Sequence, residues 1–251
     1  MTTLKTLGLV MLAGASMQAF AADFAFDRPG TGFSTTTTPV GQLAWEQGLP
    51  SATYRESGDV HTTTLNADML LRTGLTDSLE LQMGWDGPSW AKVREHGVKV
   101  EDDGLGDVSI GLKKAINLDD EKLSMAVLAE AVIATGNQGF SNDEDIYSLS
   151  SAVAYQYSDL INTSITMRYE WQDDQWAVQA VPTLEYKITD KLSGFSEFVY
   201  RKAESQDYEY GLGSGVMYAL NDRVQLDASV DVDLNGSDKS YKSGLGVSFL
   251  F

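Results

Sequence analysis

Few residues in this sequence are of types that carry acid–base, nucleophilic or metal chemistry. Cysteine is absent, and the only histidines are His61 and His96. A histidine can activate a serine nucleophile if the two side chains lie within hydrogen-bonding distance, but no nucleophile motif accompanies His61. Acidic runs at 101–103 and 143–145 could hold Ca²⁺, although the second lacks the spacing of an EF-hand loop. We therefore expect no enzyme, no catalytic residues, no cofactor and no metal site.

The charge balance excludes one class of partner. The 251 residues include 36 acidic and 18 basic side chains, for a net charge of −18. Nucleic-acid binding needs clustered Lys and Arg to neutralise phosphates, so we expect no nucleic-acid partner. The absence of cysteine rules out disulfides and thiolate metal sites and fits an oxidising compartment.

The N-terminus has the pattern of a secretory signal peptide, which we place at 1–21. Lys5 lies in a short basic region, an apolar run follows at 7–15, and Ala19-Phe20-Ala21 is a small-x-small cleavage site. The apolar run is shorter than the about 20 residues that a spanning helix needs. Since no later stretch is long, apolar and uncharged, a mature chain that crosses a membrane must do so with strands.

Most of the remaining sequence alternates between apolar and polar residues with a period of two. Between 223 and 234, for example, Arg223, Asp227 and Asp231 fall on the polar phase while apolar residues fill the other. Successive side chains of a strand point to opposite faces, so each such segment has one apolar and one polar face. A helix would mix the acids with the apolar residues.

Connections between these segments are of two kinds. Five short turns that contain Asp lie near 75–79, 118–123, 157–160, 188–192 and 220–224, where such residues favour tight turns. Six more variable loops lie at 48–60, 87–104, 136–145, 172–175, 202–207 and 235–240. Eleven connections predict twelve strands, with ten or fourteen as alternatives. The approximate strands are 39–47, 60–73, 79–86, 105–116, 123–135, 146–157, 160–171, 175–188, 192–201, 208–220, 223–234 and 240–251.

This arrangement predicts an all-β fold, a closed up-and-down antiparallel transmembrane β-barrel at 39–251, after a periplasmic or lumen segment at 22–38. An even strand number with short periplasmic turns and longer outer loops is typical of outer-membrane barrels. A soluble β-sandwich or lipocalin-like barrel also alternates. The signal peptide, the terminal Phe251 and aromatic residues near both strand ends favour the outer membrane of a Gram-negative bacterium. The aromatic residues are Trp85, Tyr147, Trp171, Trp176 and Tyr208 near the loops, and Tyr157, Tyr186 and Tyr218 near the turns.

Such a location implies particular partners. We expect the barrel to contact outer-membrane lipid and lipopolysaccharide. Phe251 on the last strand looks like the signal that the barrel-assembly machinery recognises in outer-membrane proteins.

Several motifs resemble one bacterial outer-membrane family, described as "putative MetA-pathway of phenol degradation" and often called transporters. The start of the mature chain resembles the family in two motifs, Asp27-Arg28-Pro29-Gly30 and Val40-Gly41-Gln42-Leu43-Ala44-Trp45-Glu46-Gln47-Gly48. A central strand of the family is similar to Gly104-Leu105-Gly106-Asp107-Val108-Ser109-Ile110-Gly111-Leu112-Lys113. The loop that follows in the family is similar to Ala134-Thr135-Gly136. The resemblance spans about Asp27 to Phe251. It implies a barrel that admits small, often aromatic, compounds, and it brings no catalytic residues.

If the apolar phase faces lipid, the polar phase lines the lumen. The candidate lumen-lining residues are Asp68, Arg72, Glu80, Asp107, Lys113, Glu130, Arg168, Glu170, Glu185, Lys187, Glu197, Arg223, Asp227, Asp231 and Lys242. They could form the mixed-charge wall of a solute path, or a salt-bridge network that braces the barrel, because buried charges need partners. Inward glycines at 211, 213, 215, 244 and 246 either leave space or mark bends.

Twelve strands allow either a narrow pore or a filled lumen, and residues 23–39 could fold into the lumen as a plug. The function that we predict is passive entry of a small solute, possibly aromatic or hydrophobic. The alternative is a structural or adhesion barrel with an occluded lumen.

Overall fold

A computed structural model describes residues 24–235 and 239–251 of the chain. The predicted signal peptide and part of the predicted connection 235–240 lie outside the described residues. Within the described part, no helix has the length and apolarity to cross a membrane. The strands are β1 (Leu43–Gly48), β2 (Ser51–Ser57), β3 (Val60–Asn66), β4 (Met69–Thr76), β5 (Leu79–Trp85), β6 (Pro88–Glu95), β7 (Val98–Leu105), β8 (Val108–Ile116), β9 (Leu123–Ile133), β10 (Ile146–Ser158), β11 (Ile161–Gln172), β12 (Gln175–Lys187), β13 (Leu192–Ala203), β14 (Tyr208–Asn221), β15 (Val224–Asp233) and β16 (Lys239–Leu250).

Twelve of these strands close into a barrel. Strands β1, β4, β5, β8 and β9 to β16 pair in that order, and β1 also pairs with β16. Every pairing between them is antiparallel, and Trp45 on β1 lies opposite both Phe249 and Leu71. Closure satisfies the backbone hydrogen bonds that an open edge would leave unpaired in lipid. The predicted closed antiparallel barrel of twelve strands is confirmed.

The remaining strands, β2, β3, β6 and β7, continue the wall beyond the barrel, and we call them the outer extension. Strand β2 pairs with the outer end of β16, β3 with β2, β6 with β3 and β7 with β6. The prediction that 48–60 and 87–104 are loops is therefore wrong. Each outer strand prolongs a barrel strand, and tight turns with positive φ at Gly58, His96 and Gly97 join them into hairpins.

The alternation of burial along β8 shows which way the apolar phase faces. Val108, Ile110 and Leu112 are exposed on the barrel surface, while Gly111 and Lys113 on the alternate phase are buried. A soluble barrel would bury the apolar phase and expose the charged one. Because the reverse holds here and the exposed apolar residues recur around the wall, the outer surface suits lipid rather than water.

Aromatic residues mark both ends of this apolar surface. Trp171 and Trp176 lie opposite each other at the outer end of β11 and β12 and are both exposed. Tyr157 and Tyr218 are exposed near the short turns at the other end. Phe251 is 57% exposed, and its backbone exchanges two hydrogen bonds with Leu43 across the β1–β16 seam.

Candidate functional site

Residues 24–39, which we call the inner segment, lie across the interior of the barrel. Arg28 donates from Nη1 to Asp68 at 2.7 Å and from Nη2 to Asp227 at 3.3 Å. Thr31 donates from its backbone N and its hydroxyl to the carboxylate of Glu197. Asp68 lies between β3 and β4, Asp227 on β15 and Glu197 on β13. Contacts to such widely separated parts of a closed wall mean that the inner segment crosses the lumen.

One side of the lumen holds a group of charges that we call the buried network: Asp27, Glu46, Arg72, Glu80 and Lys113. Arg72 lies at its centre, with Nη1 2.8 Å from Glu46 and 3.3 Å from Asp27, and Nε 3.0 Å from Glu80. The Nζ atom of Lys113 lies 3.3 Å from Glu80 and 3.4 Å from Asp27. The side chains of the four wall residues are fully buried.

The inner segment completes this network. Asp27 supplies the third carboxylate, and Thr38 donates its backbone N and its hydroxyl to Glu80. Phe24 lies beneath the guanidinium of Arg72, with 5.0 Å between the ring centroid and Cζ. Buried charges are stable only when partners surround them. The wall of β1, β4, β5 and β8 is therefore sealed against the inner segment.

The opposite side of the lumen carries a second group, the half-exposed network, which consists of Glu130, Arg168, Glu170, Arg201 and Glu209. Arg168 lies 3.2 Å from Glu130 and 2.8 Å from Glu170, and Arg201 lies 3.5 Å from Glu170 and 3.3 Å from Glu209. These side chains are between 16% and 58% exposed. Solvent therefore reaches an arc of alternating charge along β9, β11, β13 and β14.

Asp107, between β7 and β8, binds the outer loop that follows β9 through hydrogen bonds. Its carboxylate accepts five hydrogen bonds, from the backbone N of Thr135, Gly136 and Asn142, the Ser141 hydroxyl and the Asn142 amide, at 2.6–2.9 Å. Burial acts to raise the pKa of Asp107, but these hydrogen bonds, led by that from Ser141, lower it to about 2. The carboxylate thus holds the loop as an anion without a cation partner among the described residues.

The other candidate residues lie in several surroundings. Glu185 accepts a hydrogen bond from Asn162 at 2.7 Å, and Lys187 pairs with the exposed Asp190 at 2.8 Å. Asp231 lies opposite Lys242 across β15 and β16. Arg223 is exposed in the short turn between β14 and β15.

The two histidines lie on the outer extension. The hydroxyl of Tyr54 contacts Nδ1 of His61 at 2.9 Å. His96 is exposed in the hairpin turn between β6 and β7, with Nε2 3.6 Å from Asp59.

Sequence reasoning missed five charged residues of the lumen: Asp27, Arg28, Glu46, Arg201 and Glu209. Asp27 and Arg28 belong to a motif that supported the family resemblance, but nothing in its pattern indicates their partners. Glu46 lies in a strand with weak alternation. Arg201 shares a phase with Phe195, a large apolar residue that is only 3% exposed, so the polar face of β13 was hard to recognise.

A cavity of about 690 Å³ separates the inner segment from the wall of β9 to β15. Phe24, Phe26 and Phe33 of the inner segment contribute to its lining. Small polar wall residues, among them Ser164 and Ser193, line it as well, and it reaches the periplasmic turns at Asp159 and Asp222. The lumen is thus narrowed by the inner segment but retains an open compartment.

A closed barrel with an apolar exterior, aromatic ends and a charged interior defines an outer-membrane β-barrel protein. The sequence model of the family "Putative MetA-pathway of phenol degradation" matches residues 26–251, and the chain belongs to this family. None of the curated proteins compared with the sequence matches it significantly.

Several solved structures share the fold. An outer membrane channel from Pseudomonas putida F1 is 13% identical with a TM-score of 0.66, covering 89% of this chain and 99% of its own. The NanC porin is 13% identical with a TM-score of 0.55, and the match covers 82% of this chain and 98% of the porin. The translocator domain of the autotransporter NalP from Neisseria meningitidis is 10% identical with a TM-score of 0.54, covering 89% and 90%. At such low identity the likeness concerns the fold alone.

Proposed function

We propose that the protein is a channel for passive entry of small solutes through the outer membrane. The observation that carries this proposal is the cavity of about 690 Å³ inside a closed barrel, between the inner segment and the β9–β15 wall. Its volume falls within the range of about 300–1,000 Å³ that small-molecule sites occupy. Selection would rest on the width of the path and the polarity of its wall, without a chemical step.

Small aromatic or weakly hydrophobic compounds are the solutes we propose. Phe24, Phe26 and Phe33 offer aromatic surface along one side of the cavity, and aromatic rings favour edge or offset contacts with one another. The description of the family refers to phenol degradation, which points to the same class. Two of the structures with this fold are described as a channel and a porin.

The inner segment would set the width of the path. Arg28 and Thr31 tie it to Asp68, Asp227 and Glu197 across the lumen. A solute must therefore pass between this segment and the side of the wall that carries the half-exposed network. Loosening the segment should widen that passage.

The test is conduction by the purified full chain in planar bilayers, together with solute-driven swelling of liposomes. We expect a small conductance and preferential uptake of small solutes, and a larger conductance for Arg28→Gln, which removes the ion pairs of the inner segment with Asp68 and Asp227. Arg223→Gln is the matched control, because it removes one exposed charge from a periplasmic turn. A difference in electrophoretic migration between unheated and heated samples would establish that each variant is folded.

Two outcomes would contradict the proposal at different levels. If neither the unchanged protein nor Arg28→Gln conducts or takes up solute, the protein is not a channel. If the unchanged protein conducts and Arg28→Gln behaves like Arg223→Gln, the channel stands but the inner segment does not set its width.

The second candidate is a structural or adhesion barrel with an occluded lumen. The buried network favours it, because Arg72 and Lys113 bind the inner segment with side chains that are fully buried. Folded protein with no conductance and no flux would support this alternative.

A further inference from the structure

The outward face of the outer extension carries a cluster of cations. The strand register places Tyr241, Tyr54, Thr63, Lys92 and Glu101 in one row across β16, β2, β3, β6 and β7. Tyr241 and Tyr54 are 46% and 38% exposed on the barrel exterior. Neighbours in such a row share a face of the sheet, so Lys92 also points outward. Arg94 and Lys99 occupy the adjacent positions of the same face.

The cluster lies just beyond the aromatic end of the apolar surface. Trp90, Lys92 and Arg94 are alternate residues of β6, a strand that runs away from the barrel. Each step of two residues advances about 6.6 Å. Trp side chains favour the membrane–water interface, and Leu65 lies opposite Trp90 on β3. The two cations therefore lie on the water side of this interface, at the height of lipid headgroups.

The cations repel one another where they lie. Arg94 is directly opposite Lys99 across β6 and β7, and like charges in that position are destabilising. Lys99 pairs with Glu101, but in the described part of the chain no carboxylate is within ion-pairing distance of Lys92 or Arg94. The face also carries Glu56, which lies opposite Lys239, and Asp103, which lies opposite Trp90. Glu101 lies opposite Lys92 and pairs with Lys99, so the three cations share one nearest carboxylate, and Lys92 and Arg94 have no ion pair of their own among the described residues.

We propose that Lys92, Arg94 and Lys99 bind the phosphate groups of lipopolysaccharide in the outer leaflet, while its acyl chains pack against Trp90, Leu65 and Tyr54. Arg and Lys bind phosphate through charge-assisted hydrogen bonds. The surface fits a lipid phosphate better than a free anion, because the apolar residues beside the cations would contact the acyl chains of a lipid. A free anion has no apolar part that these residues could contact. The attraction of a membrane-adjacent cation to an anionic lipid surface is worth roughly a fivefold gain in binding per residue.

The test compares two triple variants of the detergent-purified full chain. The outer triple is Lys92→Gln, Arg94→Gln and Lys99→Gln. The control triple, Lys122→Gln, Lys191→Gln and Arg223→Gln, removes the same charge from exposed residues of the periplasmic turns. Binding of rough lipopolysaccharide is measured by native mass spectrometry. For the outer triple we expect a loss of affinity for lipopolysaccharide on the order of 100-fold. The control triple should bind lipopolysaccharide as tightly as the protein without substitutions. That protein should bind dephosphorylated lipopolysaccharide only weakly.

Any of three results with the variants or the dephosphorylated lipid would overturn the proposal. They are equal affinity of the outer triple and the unchanged protein, an equal loss in the control triple, and equal binding of the dephosphorylated lipid. Inorganic phosphate is tested in addition to the two forms of lipopolysaccharide. If the protein bound phosphate as tightly as lipopolysaccharide, the cluster would instead be a site for free anions. If the outer triple does not fold, Arg94→Gln alone should lose roughly fivefold, because Arg94 is exposed and has no hydrogen bond among those described.

Discussion

The two charge networks of the lumen have similar compositions but opposite surroundings. The buried network combines three acids and two bases on β1, β4, β5, β8 and the inner segment, and its wall side chains are fully buried. The half-exposed network also combines three acids and two bases, on β9, β11, β13 and β14, and solvent reaches each of them. The difference lies in the inner segment, which covers one network and leaves the other open.

This contrast separates two roles for charged residues of one wall. Removing one partner of a buried ion pair costs about 3–5 kcal/mol, because the remaining charge is left without solvent or a counterion. An exposed pair contributes about 0.2–1 kcal/mol, since water and salt replace the lost partner. The buried network should therefore hold the inner segment and the wall together, whereas the half-exposed network is available to a passing solute.

The largest expected effect tests the buried side of this contrast. Arg72→Gln leaves Asp27, Glu46 and Glu80 with Lys113 as their remaining cation, so we expect a loss of about 3–5 kcal/mol in the free energy of unfolding, or no folded protein at all. Urea titration in lipid vesicles, followed by the electrophoretic shift of folded barrel, measures the loss. Arg201→Gln is the matched control in the other network. Equal midpoints for the two variants would break the comparison.

A smaller effect on stability is expected at Asp107. Its buried carboxylate accepts hydrogen bonds and has no cation partner among the described residues. Its pKa is lowered from 3.8 to about 2, so its contribution is complete above pH 4 and disappears as the pH falls through about 2, with a total of about 2 kcal/mol. We expect hydrogen exchange of residues 134–142 to accelerate over that pH interval. Asp107→Asn should show fast exchange at pH 7 already. Unchanged exchange in the variant would mean that the loop does not depend on the carboxylate.

The smallest expected effect tests the half-exposed side. Arg168→Gln should cost about 1 kcal/mol or less, and this difference should vanish in about 1 M salt, where the Debye length is about 3 Å. Urea midpoints of the variant and the unchanged protein at low and high salt provide the measurement. A loss as large as that of Arg72→Gln, or one insensitive to salt, would show that this network is also sealed.

Most barrel strands could be predicted from the sequence because their signal is local. Alternation along 161–171 and 175–188 placed β11 and β12 within a residue or two of their ends, and the Asp-containing turns supplied the count. Strands β2, β6 and β7 were missed because acidic and glycine residues made 48–60 and 87–104 resemble loops. The Gly58-Asp59 and His96-Gly97 pairs, flanked by alternating residues, were the hairpin signal that would have revealed them.

The candidate site was harder to predict than the fold. The polar phase indicated charges such as Arg72 and Lys113, but not that they would be fully buried while Arg168 stays partly exposed. Those outcomes depend on Asp27, Arg28 and Thr38, which lie in a segment without strand periodicity. Their partners on the barrel wall are 18 to 199 residues away in sequence, a separation that no local pattern encodes.

By itself the sequence determined that the chain forms strands with one apolar face, and that about twelve of them close into a membrane barrel. The physical reason is that strand geometry and the contrast between lipid and water act on neighbouring residues, where a period of two is visible. Only the tertiary structure decided which charges are sealed, which remain open, and where the wall continues outward beyond the barrel. Those properties arise when distant segments meet, because the burial of a charge depends on what covers it and not on its own place in the strand.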